Sequence, residues 1–570
     1  MIIYTYSQVS QGALKSNIGL PQYSYYFVLE KFLPVLKQIG TVVSIDTPEA
    51  LESLQAGEMA NDEPCCLLSF TPPQDVPVGI ACPVFCIFAW EFSNIPDETW
   101  DDNPQNNWLV ALERLAGAIA LSSHTEKVIR RVMGEGYPVT SIPAPLWDRY
   151  ATLRASLPRP AQKTLTLSLP AGSVIDSRDF SFGDNALVPL NPLTSFDRPL
   201  WDGNPIQMDF FDYQLNSGLL CGFYDIEPWG AWSRLPSPWV VLSHTVFGKV
   251  ILEFEAAGFG ANAGHTIDVS IGGAHHQVTL SDNFETLRVE AELVEPANLV
   301  TFGGLKQVLV GSSEDHRTLG MALRWVRILK SADEDEVAQQ KIAVNPPLSR
   351  GSAALQLEGV VYTSLLNPVD QRKNWVDMVS AFCHAFREVP DAVLVLKMSH
   401  RHLGSFLGKL MSLLEQIQPF QCRVVALHGY MEDETLNALM ASTTYYANAS
   451  LCEGLCMPLM EFMSAGVPAL ATRNTAMEDY ISPDAAFIVE SSPAPTIWPQ
   501  DPRIVIRTLQ YRVSWESLEQ QFRESYQVAR HDLCRYRALA HRSLAIMSDY
   551  CADDTVMRQL SHFIKMASSR

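Results

Sequence analysis

Residues 445–480 read YYANASLCEGLCMPLMEFMSAGVPALATRNTAMEDY, and their order of residue types decides the fold. Residues 445–449 are apolar and β-prone, which predicts a strand. A tight turn follows, containing Gly454. Pro458 is favoured in the first turn of a helix, Gly466 just past its end, and residues 467–471 predict the next strand. Strand, turn, helix, strand is the repeating unit of a parallel α/β sheet. Ligands of open parallel sheets bind outside the carboxyl ends of the strands. A turn that feeds a helix N-terminus adds unpaired N–H groups and the positive end of the helix dipole, a setting for an anionic phosphate. Glu453 precedes this helix and Glu461 lies on its first or second turn. Two carboxylates beside a phosphate site are costly unless they accept hydrogen bonds from ligand hydroxyls.

The same alternation extends outward from this stretch. Residues 360–363, 392–397 and 423–428 predict strands, and residues 406–416 and 432–441 predict helices. Asn374 stands where it can cap a helix whose Trp375, Met378, Val379, Phe382 and Phe386 share one face. Near the N-terminus, residues 2–6, 42–45, 66–70, 84–88 and 119–122 predict strands, with helices over 23–38 and 125–133. Between these regions the texture changes at Pro158-Arg159-Pro160. Short alternating stretches follow at 163–169, 240–244, 249–256, 265–271, 276–280, 286–293, 299–302 and 322–329. Regularly spaced short strands of this kind predict a β-sandwich. The expected class is α/β: two doubly wound, Rossmann-like domains, residues 1–160 and 336–515, with an inserted sandwich over 161–335 and a helical tail over 516–570.

The chain has 570 residues, too many for one hydrophobic core. With 47% hydrophobic and 18% charged residues it is globular rather than disordered. A net charge of -21 argues against nucleic-acid binding and against whole-surface attraction to anionic lipid. Arg130-Arg131 is the local exception, read first as a solvated helix face and second as a peripheral membrane contact. The most apolar run, residues 83–90, is far shorter than the roughly 20 residues of a membrane span. The opening MIIYTYSQ lacks the pattern of a secretory signal, and the 11 scattered Cys complete no zinc motif. The expectation is a cytoplasmic protein, in contact at most with the inner face of a membrane.

Ser450, Glu453, Gly454, Leu455, Cys456, Met457, Pro458, Glu461, Met463, Gly466 and Pro468 together resemble the donor-site signature of family-4 glycosyltransferases, S-x-x-E-G-F-G-L-P-x-x-E-A-M-A-x-G-x-P-V. The resemblance covers residues 355–490 and implies a GT-B fold. It also implies retaining transfer of a sugar from a nucleoside diphosphate to a glycan or lipid-linked acceptor, as in bacterial surface polysaccharide synthesis. In that frame Glu461 accepts from ribose hydroxyls and Glu453 holds the donor sugar. The 454–457 amides face the diphosphate, and Arg372-Lys373 resembles the basic turn whose Lys contacts the pyrophosphate. A cation there neutralises charge developing on the leaving group. Gly429 and Tyr430 resemble the strand end that holds the base, Asn17 and Gly19 the glycine loop facing the donor, and Glu91 a carboxylate that orients the acceptor hydroxyl.

Two positions depart from the pattern. Cys456 replaces the usual second Gly, and the Arg usually found after the first strand of this half is missing. Arg372 or Lys397 can substitute for it. Asp333-Glu334-Asp335 has the D-x-D form that binds a metal diphosphate in another glycosyltransferase class. It sits in an acidic linker and reads as solvated charge, so neither metal nor cofactor is expected. His124 reads as a helix N-terminal residue and Trp232 as core, while Trp229 fits core or sugar-stacking equally. Residues 222–233 resemble an accessory jelly-roll module of bacterial polysaccharide enzymes. The other readings of the whole are a GT-B sugar phosphorylase and a catalytically silent carbohydrate-binding scaffold. Oligomeric state is not encoded in any motif.

Overall fold

The run VFCIF at Val84–Phe88 is buried at every position, as a strand covered on both faces must be. It lies fourth in a six-stranded, all-parallel sheet. In spatial order the strands are Thr41–Ile45, Ile2–Tyr6, Cys65–Ser69, Val84–Phe88, Gly117–Ala120 and Val139–Ser141. The helix Tyr23–Ile39 buries Val28, Leu29, Phe32, Val35 and Leu36, one stripe at helical spacing. This computed structural model describes all residues except 10–21, 58–62, 156–164, 171–173, 184–185, 190–195, 197, 211–218, 225, 312–314, 332–351, 401–403 and 569–570.

The second α/β sheet has seven strands. Their order is Ala486–Val489, Ala469–Thr472, Tyr445–Asn448, Val360–Leu366, Ala392–Met398, Arg423–His428 and Val174–Asp176. All pairings are parallel except the last. The chain direction of assembly reverses between Val360–Leu366 and Tyr445–Asn448, so the turns leaving these two strands diverge and open a crevice. The expected helix face, Trp375, Met378, Val379, Phe382 and Phe386, is wholly buried. Asn374 does not cap its helix with a side-chain hydrogen bond; its backbone is left-handed, with φ 50°.

Between these domains lie two antiparallel sheets packed face to face. One holds Ile206–Asp209, Met321–Lys330, Lys249–Gly258 and Glu285–Glu292, with Ala231–Trp232 beside the second. The other holds Leu219–Cys221, Trp239–Val246, Ala297–Gly303, Thr266–Ile271 and Ala274–Thr279. Phe254, Phe302, Val240, Val300 and Leu323 fill the space between. The expected strand at 163–169 does not join this sandwich. Leu165–Pro170 pairs with Ser352–Leu357, and Val174–Asp176 adds the antiparallel edge strand of the C-terminal sheet. Alternation identified the strand but not its partner. The edge strand Val174–Asp176 is held there by Asp176, which receives two Nε contacts of 2.9 and 3.2 Å from buried Arg423 of the neighbouring strand. The sandwich in turn docks on the helix Gly404–Ile417 through Cys221, Trp239 and Val241 and an Arg234–Glu415 ion pair of 2.7 Å.

Three helices close the chain: Trp515–His531, Leu533–Cys551 and Asp553–Ser568. The last returns to the N-terminal domain, where Phe563 meets Phe85 at 5.9 Å between centroids. Among the described residues no helix is long and apolar enough to cross a membrane. Removing one partner of a buried ion pair costs about 3–5 kcal/mol. Asp176→Ala is therefore expected to lower the denaturant midpoint of the C-terminal domain, and Asp176→Asn to lower it less. An unchanged midpoint in Asp176→Ala would show that the edge strand is held by its backbone alone.

Candidate functional site

The crevice at the switch point is lined by the turn after Val360–Leu366 and the turn after Tyr445–Asn448. The first carries Arg372 and Lys373 in a short 3-10 turn, Gln371–Lys373. The second runs from Ala449 to Cys456 and feeds the helix Met457–Ser464, with Pro458 in its first turn and Gly466 past its end at φ 84°. Cys456 stands where the family pattern has glycine, and it adopts the left-handed backbone that glycine favours, φ 59° and ψ 55°. Its side chain folds inward, where Asn448 Nδ2 donates to Sγ at 3.1 Å. Burial first, then the Glu453 charge, raises the Cys456 thiol well above its ordinary value, so it stays neutral.

Glu453 is the centre of the arrangement and only 3% exposed. Lys373 Nζ donates to its Oε1 at 2.5 Å and Arg372 Nη1 to its Oε2 at 2.9 Å. Ser450 Oγ adds 2.7 Å to Oε1, and Thr475 Oγ1 accepts from the Glu453 N–H at 2.9 Å. Burial alone would raise this carboxyl, but Lys373 and Arg372 outweigh it and hold it down to about 2. Arg372 Nε also lies 2.9 Å from Asp370 Oδ2 and 3.1 Å from Oε1 of Glu91, which belongs to the other domain. Glu91 itself is raised by burial against the pull of Arg372.

The Glu91 strand end is pinned into place. Thr125 Oγ1 accepts from Trp90 N–H at 3.1 Å and donates to Trp90 O at 2.9 Å. Gly454 then packs on this segment so closely that a Cβ would lie 2.8 Å from Ala89 Cβ and 2.9 Å from Trp90 N. Only glycine permits that approach. Leu455 is buried beside it, its carbonyl accepting from Tyr480 Oη at 2.8 Å. Met457 opens the helix.

Glu461 is 6% exposed and also reaches the other domain. Lys31 Nζ stands 3.6 Å from its Oε1, and Tyr150 hydrogen-bonds to it. Burial raises its carboxyl, with Lys31 the main opposing charge. Gly429 has φ 89° with open space where a Cβ would stand, and Tyr430 beside it is half-buried. Tyr23, from the start of the N-terminal domain's first helix, faces Tyr430. The structure thus brings Arg372, Lys373, Ser450 and Glu453 together with Glu91, and places Gly429, Tyr430 and Glu461 further along the same edge. Asn17, Gly19 and Asp333-Glu334-Asp335 lie outside the described residues.

Other expectations fare unevenly. His124 is the second residue of its helix, Nε2 facing Phe92 O at 3.1 Å. Trp232 is half-buried rather than core, 5.2 Å from Trp229 and 5.5 Å from Phe259 between centroids. Among the described residues of the sandwich region Trp201 and Trp239 are the buried tryptophans, Trp201 within the sandwich core and Trp239 toward the C-terminal domain. Arg130 pairs with Glu126 at 2.8 Å, while Arg131 is exposed and donates to Ser93 O. Sequence reasoning missed Lys31, Tyr150 and Asp479, which accepts from Ser123 N–H across the domains at 2.8 Å. It also missed the hairpin Ser491–Ile497 with Arg507–Val513. Lys31, Tyr150 and Asp479 each act through a contact more than a hundred residues away, and no local pattern marks it.

Residues 360–496 match the family model of glycosyl transferases group 1. The C-terminal α/β domain is a group 1 glycosyltransferase domain. Residues 214–330 match a domain of unknown function, DUF7024, which covers most of the sandwich. No curated protein matches the chain. Among solved structures, a glycosyltransferase from Rickettsia africae ESF-5 is 8% identical at TM-score 0.45, covering 99% of this chain and 98% of that one. HepE of Anabaena, in complex with UDP and glucose, is 10% identical at TM-score 0.44, covering 99% of each chain.

A carboxyl held down by folding stabilises the protein above its ordinary value of 4.5, and that contribution is lost as pH falls toward about 2. Glu453→Gln should therefore melt below the wild type at neutral pH. The gap should narrow as pH drops through this window, measured where both remain folded. A gap independent of pH would show that Glu453 does not carry the charge.

Proposed function

We propose that this chain is a retaining glycosyltransferase of family 4. In this reading it moves a hexosyl group from a nucleoside diphosphate sugar to a glycan or lipid-linked acceptor in surface polysaccharide assembly. It works in the cytoplasm, at the inner membrane face where the acceptor is lipid-linked. The observation that carries this reading is the Arg372–Lys373–Glu453 cluster. It sits at the switch point of a group 1 domain and faces Glu91 across the crevice. As the anomeric bond breaks, negative charge grows on the departing diphosphate; Lys373 and Arg372 are placed to stabilise it. The amide end of the Met457–Ser464 helix adds its dipole. Glu461 serves the ribose, and Glu91 orients the acceptor hydroxyl.

The donor is proposed to bind without a divalent metal, since the chain supplies its own cations. Thermal shift against UDP-, GDP- and ADP-sugars selects the donor, and calorimetry with and without chelator tests the metal. Binding that vanishes with chelator overturns the metal-free claim. A phosphorylase would instead respond to inorganic phosphate and a sugar phosphate, and a silent scaffold would turn over neither.

The two glutamates should separate in kinetics. Glu461→Gln is expected to weaken binding of the free nucleoside diphosphate. Glu453→Gln releases Lys373 and Arg372 from their carboxylate, so nucleotide affinity should hold or tighten while transfer falls about 100-fold, the scale of one placed electrostatic contact. Full transfer by a folded Glu453→Gln protein would place the active site elsewhere.

A further inference from the structure

Lys397 is the penultimate residue of the strand Ala392–Met398, which lies between Val360–Leu366 and Arg423–His428. Its register partners are Leu365 and Leu427, both apolar. The side chain is 6% exposed. Its ammonium reaches past the strand ends to Gly429 O at 2.8 Å and Ser399 Oγ at 2.6 Å. Both partners are neutral. Among the described residues no carboxylate faces it, and burial alone pulls it down to about 8. An ammonium has three N–H donors, and two are used here. A buried cation without a counter-charge is costly, and such a cation at the ligand-binding edge of a parallel sheet is placed to meet an anion.

The neighbouring cations are differently placed. Arg372 and Lys373 are already neutralised by Glu453, Asp370 and Glu91. Along the sheet edge Lys397 stands between that turn and the Gly429–Tyr430 turn. In the donor cleft read above, that is between the diphosphate and the base.

We propose that Lys397 is a donor-binding residue whose ammonium takes a phosphate oxygen of the nucleoside diphosphate. It does the work of the cation absent after the first strand of this domain, in place of Arg372. The inference rests on the glycosyltransferase reading. It differs from a mere pin for the 429 turn, because a pin needs hydrogen bonds and an anion site needs charge.

The test uses the full chain and whichever of UDP, GDP and ADP binds it, with the matching nucleoside as control. Lys397→Gln keeps a donor toward Gly429 and removes the charge; Lys397→Arg keeps the charge. The expected result for Lys397→Gln is a loss of about 10- to 100-fold in diphosphate affinity, with nucleoside affinity within about 2-fold. Lys397→Arg should recover most of the loss, and matched melting temperatures exclude misfolding. Equal losses for diphosphate and nucleoside, or wild-type affinity in Lys397→Gln, overturn the proposal while leaving the glycosyltransferase reading intact. A wild-type chain that binds none of the three diphosphates overturns both.

Discussion

A carboxylate almost out of contact with water, Glu453, holds the two diverging turns of the C-terminal sheet together. Its oxygens engage Lys373, Arg372 and Ser450, and its N–H engages Thr475. Buried charge is tolerable only when every member of a network is satisfied. This network approaches that condition by sharing: Arg372 Nη1 donates to Glu453, its Nε stands within ion-pair distance of Asp370 and Glu91 but without a hydrogen-bond partner, and its backbone carbonyl accepts from Leu451 N–H at 2.7 Å. The same pairing that sets the C-terminal crevice thereby reaches into the other domain. Glu453 cannot be exchanged for a neutral residue without leaving two cations under-compensated.

Around this polar centre the domains are drawn together by apolar surface and by the path of the chain. Trp90 meets Trp108 at 4.5 Å and Trp498 at 5.7 Å, so a residue of the C-terminal domain's hairpin completes a cluster of the N-terminal one. The hairpin also forms hydrogen bonds at the same loop, with Thr508 accepting from Ser93 N–H at 3.2 Å. On the opposite flank the helix Asp553–Ser568 covers the first sheet. Gly454 matters because these attachments bring Ala89 and Trp90 so near that any side chain would hold them apart. The two domains therefore approach closely at this point.

What could be read from the sequence was whatever has a short-range period. The helix face from Trp375 to Phe386, the buried run at Val84–Phe88 and most sandwich strands declare themselves within a dozen residues. The turn at 450–457 was legible because its residue types are tied to backbone geometry, down to the left-handed position that Cys456 fills. What escaped was partnership. The pattern at 163–169 gives a strand, yet nothing local says that it pairs with Ser352–Leu357. The hairpin at Ser491–Ile497 was hidden by Pro493 and Pro495, which argue against a strand interior. In a two-stranded ribbon each strand keeps one free edge, and prolines can face it. Lys31 and Tyr150 reach Glu461 from another domain, and a single sequence offers no trace of that.

The charge arrangement along the sheet edge bears on the order of events in the cleft. With the domains together, three carboxylates, Glu91, Asp370 and Glu453, stand against Arg372 and Lys373, while Lys397 faces only neutral oxygens. An anion entering that closed arrangement meets a local excess of negative charge around the basic turn. Moving the N-terminal domain away would withdraw Glu91 from Arg372 and, further along, Lys31 from Glu461. Around the basic turn the balance would then pass from three carboxylates against two cations to two against two, beside the positive end of the helix dipole. The turn is therefore less repulsive to an anion with Glu91 withdrawn than with Glu91 in place.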